Sequence, residues 1–129
     1  MKLYHFTSGY HIEGCKKEGL TLGVIPVSID PPKFIPGFQW LTKNGKFDQE
    51  WCKYSTLPYQ RNEYRITIKI PKSARKNLIP WLFYYEKKKH LMPMAAALNL
   101  YGDPENWYLF KGIVKPEWFK KVARNPRFK

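Results

Sequence analysis

The chain has 129 residues, with 23 Lys and Arg against 10 Asp and Glu, a net charge of +13. That length fits one domain spanning 1–129, large enough to bury a core without covalent staples. A 43% hydrophobic and 17% aromatic content excludes a wholly disordered chain. No apolar run approaches the roughly 20 residues of a membrane-spanning helix, so no membrane partner is expected.

Lys2 to Thr7 alternates, with Leu3, His5 and Thr7 on one face and Tyr4 and Phe6 on the other, which predicts a short strand. This opening reads as a strand, not as a secretory leader. Ser8 is placed to cap a helix over Tyr10 to Glu18, and Gly19 to close it. Leu20 to Val27 is apolar and extended. Asp30-Pro31-Pro32 and Pro36-Gly37 break the chain, so Ser28 to Gly37 is expected to be a loop. Phe38 to Thr42 reads as a second core strand, ending at the turn Lys43-Asn44-Gly45-Lys46. Phe47 to Gln60 has no clean period but carries Trp51, Tyr54 and Tyr59.

Glu63 to Ile70 is the clearest strand: Tyr64, Ile66, Ile68 and Ile70 face one way, Glu63, Arg65, Thr67 and Lys69 the other. A turn or short helix follows over Ser73 to Asn77. Pro80 opens a helix running to Lys89, and Met94 to Leu100 forms further helical turns. Trp107 to Phe110 and Gly112 to Val114 read as strands around a tight bend, and Pro116 begins a last turn. The basic tail 120–129 is expected to fray. Strands and short helices in mixed order predict an α+β domain with a mainly antiparallel sheet.

The two cysteines, Cys15 and Cys52, form no Cys-x-x-Cys pair, and His5, His11 and His90 lack metal-ligand spacing. A cytoplasmic location with reduced thiols and no metal is expected. The excess of cations raises the prospect of a polyanionic partner. Lys87, Lys88 and Lys89 follow Tyr84 and Tyr85; Lys120, Lys121 and Arg124 follow Trp118 and Phe119. Basic residues beside aromatics suit DNA or RNA, above all single strands. The plainer alternative is that the aromatics fill the core and the lysines are solvated.

Taken alone, His5 is a polar residue on an apolar strand, and a hydrogen-bonded core histidine is its simplest reading. Leu3-Tyr4-His5-Phe6-Thr7, followed by the helix and by Gly19-Leu20, resembles the opening of ADP-ribosyltransferases of the His-Tyr-Glu type. These include poly-ADP-ribose polymerase catalytic domains and DNA-modifying toxins, and the same opening resembles RNA 2′-phosphotransferases. The resemblance implies a split antiparallel sheet with short flanking helices and an NAD cleft between the half-sheets. It implies that His5 binds the nicotinamide ribose, that Phe6 and Thr7 line the nicotinamide pocket, and that Trp40, in Gly37-Phe38-Gln39-Trp40-Leu41-Thr42, stacks on nicotinamide beside Thr42. Arg65, on the polar face of the Glu63 to Ile70 strand, is the candidate phosphate ligand, and a solvated charge on an edge strand is its simpler reading. Asp103-Pro104-Glu105-Asn106-Trp107 resembles the strand bearing the catalytic carboxylate, with Glu105 in that role. Alignment on the aromatic instead puts Asn106 there, and a one-residue slip turns a side chain to the other face.

Three functions follow from these readings. The first is an NAD-dependent ADP-ribosyltransferase, in a toxin- or phage-related setting, acting on nucleic acid or on a nucleic-acid-associated protein. The second is a catalytically inactive basic module on the same scaffold that binds nucleic acid or blocks another protein. The third is an RNA 2′-phosphotransferase-like enzyme, for which the chain looks short of phosphate ligands.

Overall fold

The alternating strand at the N-terminus sits at the centre of the sheet, and the remaining elements are arranged around it. The structure, a computed structural model, describes residues 1–49, 51, 61–100 and 102–128. In chain order the elements are β1 (Leu3–Thr7), α1 (Ile12–Glu18), β2 (Val24–Ile29), β3 (Pro32–Pro36), β4 (Phe38–Thr42), β5 (Tyr64–Ile68), β6 (Leu78–Pro80), α2 (Trp81–Glu86), α3 (Met92–Leu100), β7 (Trp107–Lys111) and β8 (Phe119–Arg124). Six strands form one antiparallel sheet in the order β6-β7-β4-β1-β5-β8, and β2 and β3 form a separate ribbon. The α+β class and the antiparallel sheet expected from the sequence are both present.

The six-stranded sheet is almost parted in the middle. β1 pairs with β5 at five positions and β4 with β7 at five, but β1 and β4 meet only at Tyr4↔Thr42. The alternation explains how both halves are filled. Leu3, Ile66, Ile68, Leu41 and Phe110 point to one face, where they meet Ile12 of α1, Leu20 and Val114 in one buried cluster. From the other face of the β6-β7-β4 half, Phe38 and Leu109 pack with Trp81 of α2, Ala95 of α3 and Ile25 of the ribbon in a second cluster. Trp81 is 1% exposed, with its indole N–H bound to Asn99 Oδ1 at 2.9 Å. Truncating such a side chain costs about 3–5 kcal/mol. The opposite face of the β1-β5-β8 half carries Tyr4, Phe6, Arg65 and Thr67.

Three local expectations are corrected. Ser28 to Gly37 is not a loop: Pro32–Pro36 pairs with Val24–Ile29 as a ribbon. Proline lacks an N–H for a ladder, but a two-stranded ribbon needs donors on one side only. The tail is not frayed from Lys120 onward: Lys120 to Arg124 belong to β8, an edge strand paired with β5, and Asn125 is buried with its side-chain N–H donating to the Asn62 carbonyl. Lysines on an edge strand deter further pairing, and that made this strand look like a solvated tail. The Ser8 hydroxyl does not cap α1. It is buried without a partner among the described residues, while the Ser8 carbonyl accepts from His11 and Ile12 N–H. Gly19 does end α1, at φ +84°, its N–H donating to the Cys15 carbonyl. A side chain there would collide with the Val114 carbonyl.

Candidate nucleic-acid interface

Tyr4, Arg65 and Thr67 on this face of the β1-β5-β8 half form the floor of a cleft of about 1100 Å³. Lys2 directly precedes β1, Tyr4 comes from β1, Arg65 and Thr67 from β5, and Lys120 and Lys121 from β8. The turn after β4 adds Lys43, Asn44, Gly45, Lys46, Phe47 and Asp48, and Asn125, Pro126 and Arg127 close the rim. Among the described residues, seven cations and one carboxylate therefore line one cavity. Two neighbouring lysines reach it from β8 because the strand is bulged. Lys121 pairs with Thr67 and Phe119 with Ile68, leaving Lys120 as the extra residue. A bulge re-aims side chains that strict alternation would send to opposite faces.

Arg65 is the most constrained of these cations. Its guanidinium lies 4.7 Å from the Phe47 ring centroid and 5.7 Å from that of Tyr4, and Nη1 donates to the Gly45 carbonyl at 2.8 Å. Its buried Nε–H has no acceptor among the described residues. An unsatisfied buried donor is costly. Gly45 packs flat on Tyr4, where an added Cβ would come within 2.9 Å of the ring. Both aromatic rings thus already hold the arginine and the turn. Arg127 is bound to Asp48 at 2.9 Å, across the rim.

The remaining candidates are placed elsewhere. His5 alternates along β1 with Tyr4, which lines the cleft, and with Phe6, and its Nδ1–H donates to the Trp40 carbonyl at 2.8 Å, across the parting between β1 and β4. The imidazole thus fills the gap where the ladder opens. Burial lowers its pKa from 6.5, opposed by the Trp40 bond and assisted by the Arg61 charge. The Trp40 indole belongs to the second cluster: its N–H donates to the Val24 carbonyl, and its ring lies 4.8 Å from Trp81 and 5.9 Å from Trp107. Phe6 is buried edge-on to Phe47 and Trp51. Thr7 is buried and hydrogen-bonds the Cys15 thiol, whose pKa burial raises. Thr42 is buried, its hydroxyl accepting from Asn44 N–H at 3.0 Å.

Glu105 is exposed in a 3-10 turn at Pro104–Asn106 and lines a second cleft of about 640 Å³ with Phe83, Tyr85, Glu86, Trp107 and Tyr108. Neither His5, Trp40 nor Arg65 lines that cleft. Asn106 does not face it either, because its amide binds Asp103 at 2.9 Å. Asp103 also accepts from Asn44 at 2.9 Å and from the Trp107 indole at 3.2 Å, pinning the turn after β4 to the start of β7.

Of the cations singled out in the sequence, Lys120 and Lys121 join Arg65 in the basic cleft. Lys87, Lys88 and Lys89 lie at the end of α2 and beyond, outside the cleft lining, with Lys88 Nζ 5.0 Å from the Tyr84 ring centroid. Arg124 grips Glu63 through Nε and Nη2 at 3.2 and 3.1 Å. The sequence reading missed Lys2, Lys43, Lys46 and Arg127 as partners of Arg65. One signal was present: the Asn-Gly turn is flanked by lysines and directly follows a core strand. Cys52, Tyr54 and Tyr59 lie outside the described residues.

No protein-family model matches the chain, and no curated protein or solved structure matches it at a significant level.

Proposed function

We propose that the protein is a nucleic-acid-binding module that grips the phosphate backbone of a single strand along the open face of the β1-β5-β8 half-sheet. The observation that carries this reading is the convergence of Lys2, Lys43, Lys46, Arg65, Lys120 and Lys121 in one cleft. Cations drawn from separate stretches of chain into one concavity focus a positive potential and release counterions from a bound strand. Fluorescence anisotropy with a labelled single-stranded oligonucleotide tests it: binding at low salt that weakens steeply as salt rises is expected. Salt-independent binding, or none at low ionic strength, overturns it.

A second reading retains the ADP-ribosyltransferase scaffold and its chemistry, with DNA, RNA or an associated protein as the acceptor. The near-parting of the sheet at His5 favours that split architecture, and Glu105 stands in a cleft beside the aromatic rings of Trp107 and Tyr108. In this reading NAD is the substrate, and Glu105 would stabilise the positive charge that develops as nicotinamide leaves. Against it stands the separation of the candidate residues: His5 is engaged with a backbone carbonyl, Trp40 is packed in the second cluster, and Glu105 lines a cleft that holds neither. Incubation with NAD and a nucleic-acid acceptor decides between the two. Release of nicotinamide that is lost in Glu105→Gln would establish the enzyme, and its absence alongside intact strand binding would establish the module.

A further inference from the structure

The second cleft differs from the first in charge and in its apolar rim. Its rim and walls include Leu82, Phe83, Tyr85 and Trp107, and its polar groups include the carboxylates of Glu86 and Glu105. Among the described residues no lysine or arginine lines it, although cations outnumber acids 23 to 10 in the whole chain. Phe83 is 63% exposed and Leu82 38%, so the rim is an apolar surface open to solvent. A nucleic acid would meet two carboxylates here and be repelled. A cationic group would find the opposite: aromatic faces and edges that attract it and two acids to neutralise it.

We propose that this cleft docks an arginine- or lysine-bearing segment of a partner polypeptide, the cation entering between Glu86 and Glu105 while its apolar neighbours cover Leu82 and Phe83. Charge complementarity selects the cation. The volume of about 640 Å³ is several times that of one side chain, and the exposed apolar rim needs cover, so the occupant is a peptide segment and not a small amine. The site is independent of the basic cleft, so failure of either leaves the other standing.

The test uses amide and indole N–H chemical shifts of the labelled protein, titrated with a capped pentapeptide of alternating leucine and arginine. The control is the same peptide with citrulline replacing arginine. The arginine peptide should move the Trp107 indole and the amides of Phe83, Tyr85 and Glu105. The citrulline peptide should bind about tenfold more weakly, as should the arginine peptide to the Glu86→Gln/Glu105→Gln double variant. Both replaced side chains are exposed, and unchanged shift dispersion will verify the fold. A Phe83→Ser variant, which leaves the charges in place, should weaken both peptides equally. Equal affinity for the two peptides, unchanged affinity in the double variant, or shifts confined to other surfaces would overturn the proposal.

Discussion

Replacing Lys120 and Lys121 together by glutamine gives the sharpest numerical consequence of a phosphate-binding cleft. Among the described residues, six cations line it besides Arg127, which is bound to Asp48. A single strand contributes a slope of about −0.7 in log K against log salt per phosphate neutralised, so full engagement gives a slope of about −4. Removing two lysines should make the slope shallower by about 1.4. Because that contribution vanishes near 1 M salt, the same change weakens binding by about 25-fold at 0.1 M. Anisotropy titrations of wild type and variant at five salt concentrations read both quantities. The two lines should converge as salt approaches 1 M. Parallel lines, with the same slope and a constant offset, would refute the reasoning, because the lysines would then act through packing and not through phosphates. Lys87→Gln/Lys88→Gln/Lys89→Gln should leave the slope unchanged, since these lysines lie outside the cleft lining.

Other consequences follow from single contacts. Gly45→Ala places a methyl group within 2.9 Å of the Tyr4 ring; overpacking of this kind costs about 1–3 kcal/mol, readable by urea denaturation, and strand affinity should fall with it as the Arg65 acceptor moves. Asp103→Ala strips the acceptor from Asn44, Asn106 and Trp107 and should destabilise by about 2–3 kcal/mol, whereas a loss below 0.5 kcal/mol, roughly the effect of an ordinary surface substitution, would show that the carboxylate does not hold the turn to β7. Burial keeps the His5 pKa below 6.5, so the unfolded chain takes up a proton first as pH falls. The His5 contribution is therefore complete above about pH 6.5 and erodes below it by at most about 1.4 kcal/mol per pH unit. Denaturation midpoints from pH 7.5 to 5 should fall less in His5→Gln than in wild type, and identical slopes would contradict this.

Much of the fold was legible because alternation is a strong signal where one face is buried. The strand faces read from Leu3–Thr7 and from Glu63–Ile70 are the faces observed: Leu3, Ile66 and Ile68 enter the core, while Arg65 and Thr67 line the cleft. The ribbon of β2 and β3 was hidden by its prolines, and β8 by its lysines, since both are edge features whose chemistry imitates loops and tails. The bulge at Lys120 left no mark in the sequence, because it is a register property of two strands about 50 residues apart. The site was legible in its parts and not in its grouping. Arg65, Lys120 and Lys121 were each visible as cations, but their convergence with Lys2 and Lys46 is a product of strand order. The same strand order puts Glu105 in a different cleft from Arg65, and packs Trp40 against Trp81 and Trp107.

The most direct test of the central claim is a map of amide shift changes on adding a single-stranded oligonucleotide at low salt. The account predicts changes at Tyr4, Gly45, Arg65, Thr67 and Lys121, reversed by raising the salt. Changes confined to Phe83, Glu105 and Trp107, or no change at all, would contradict it.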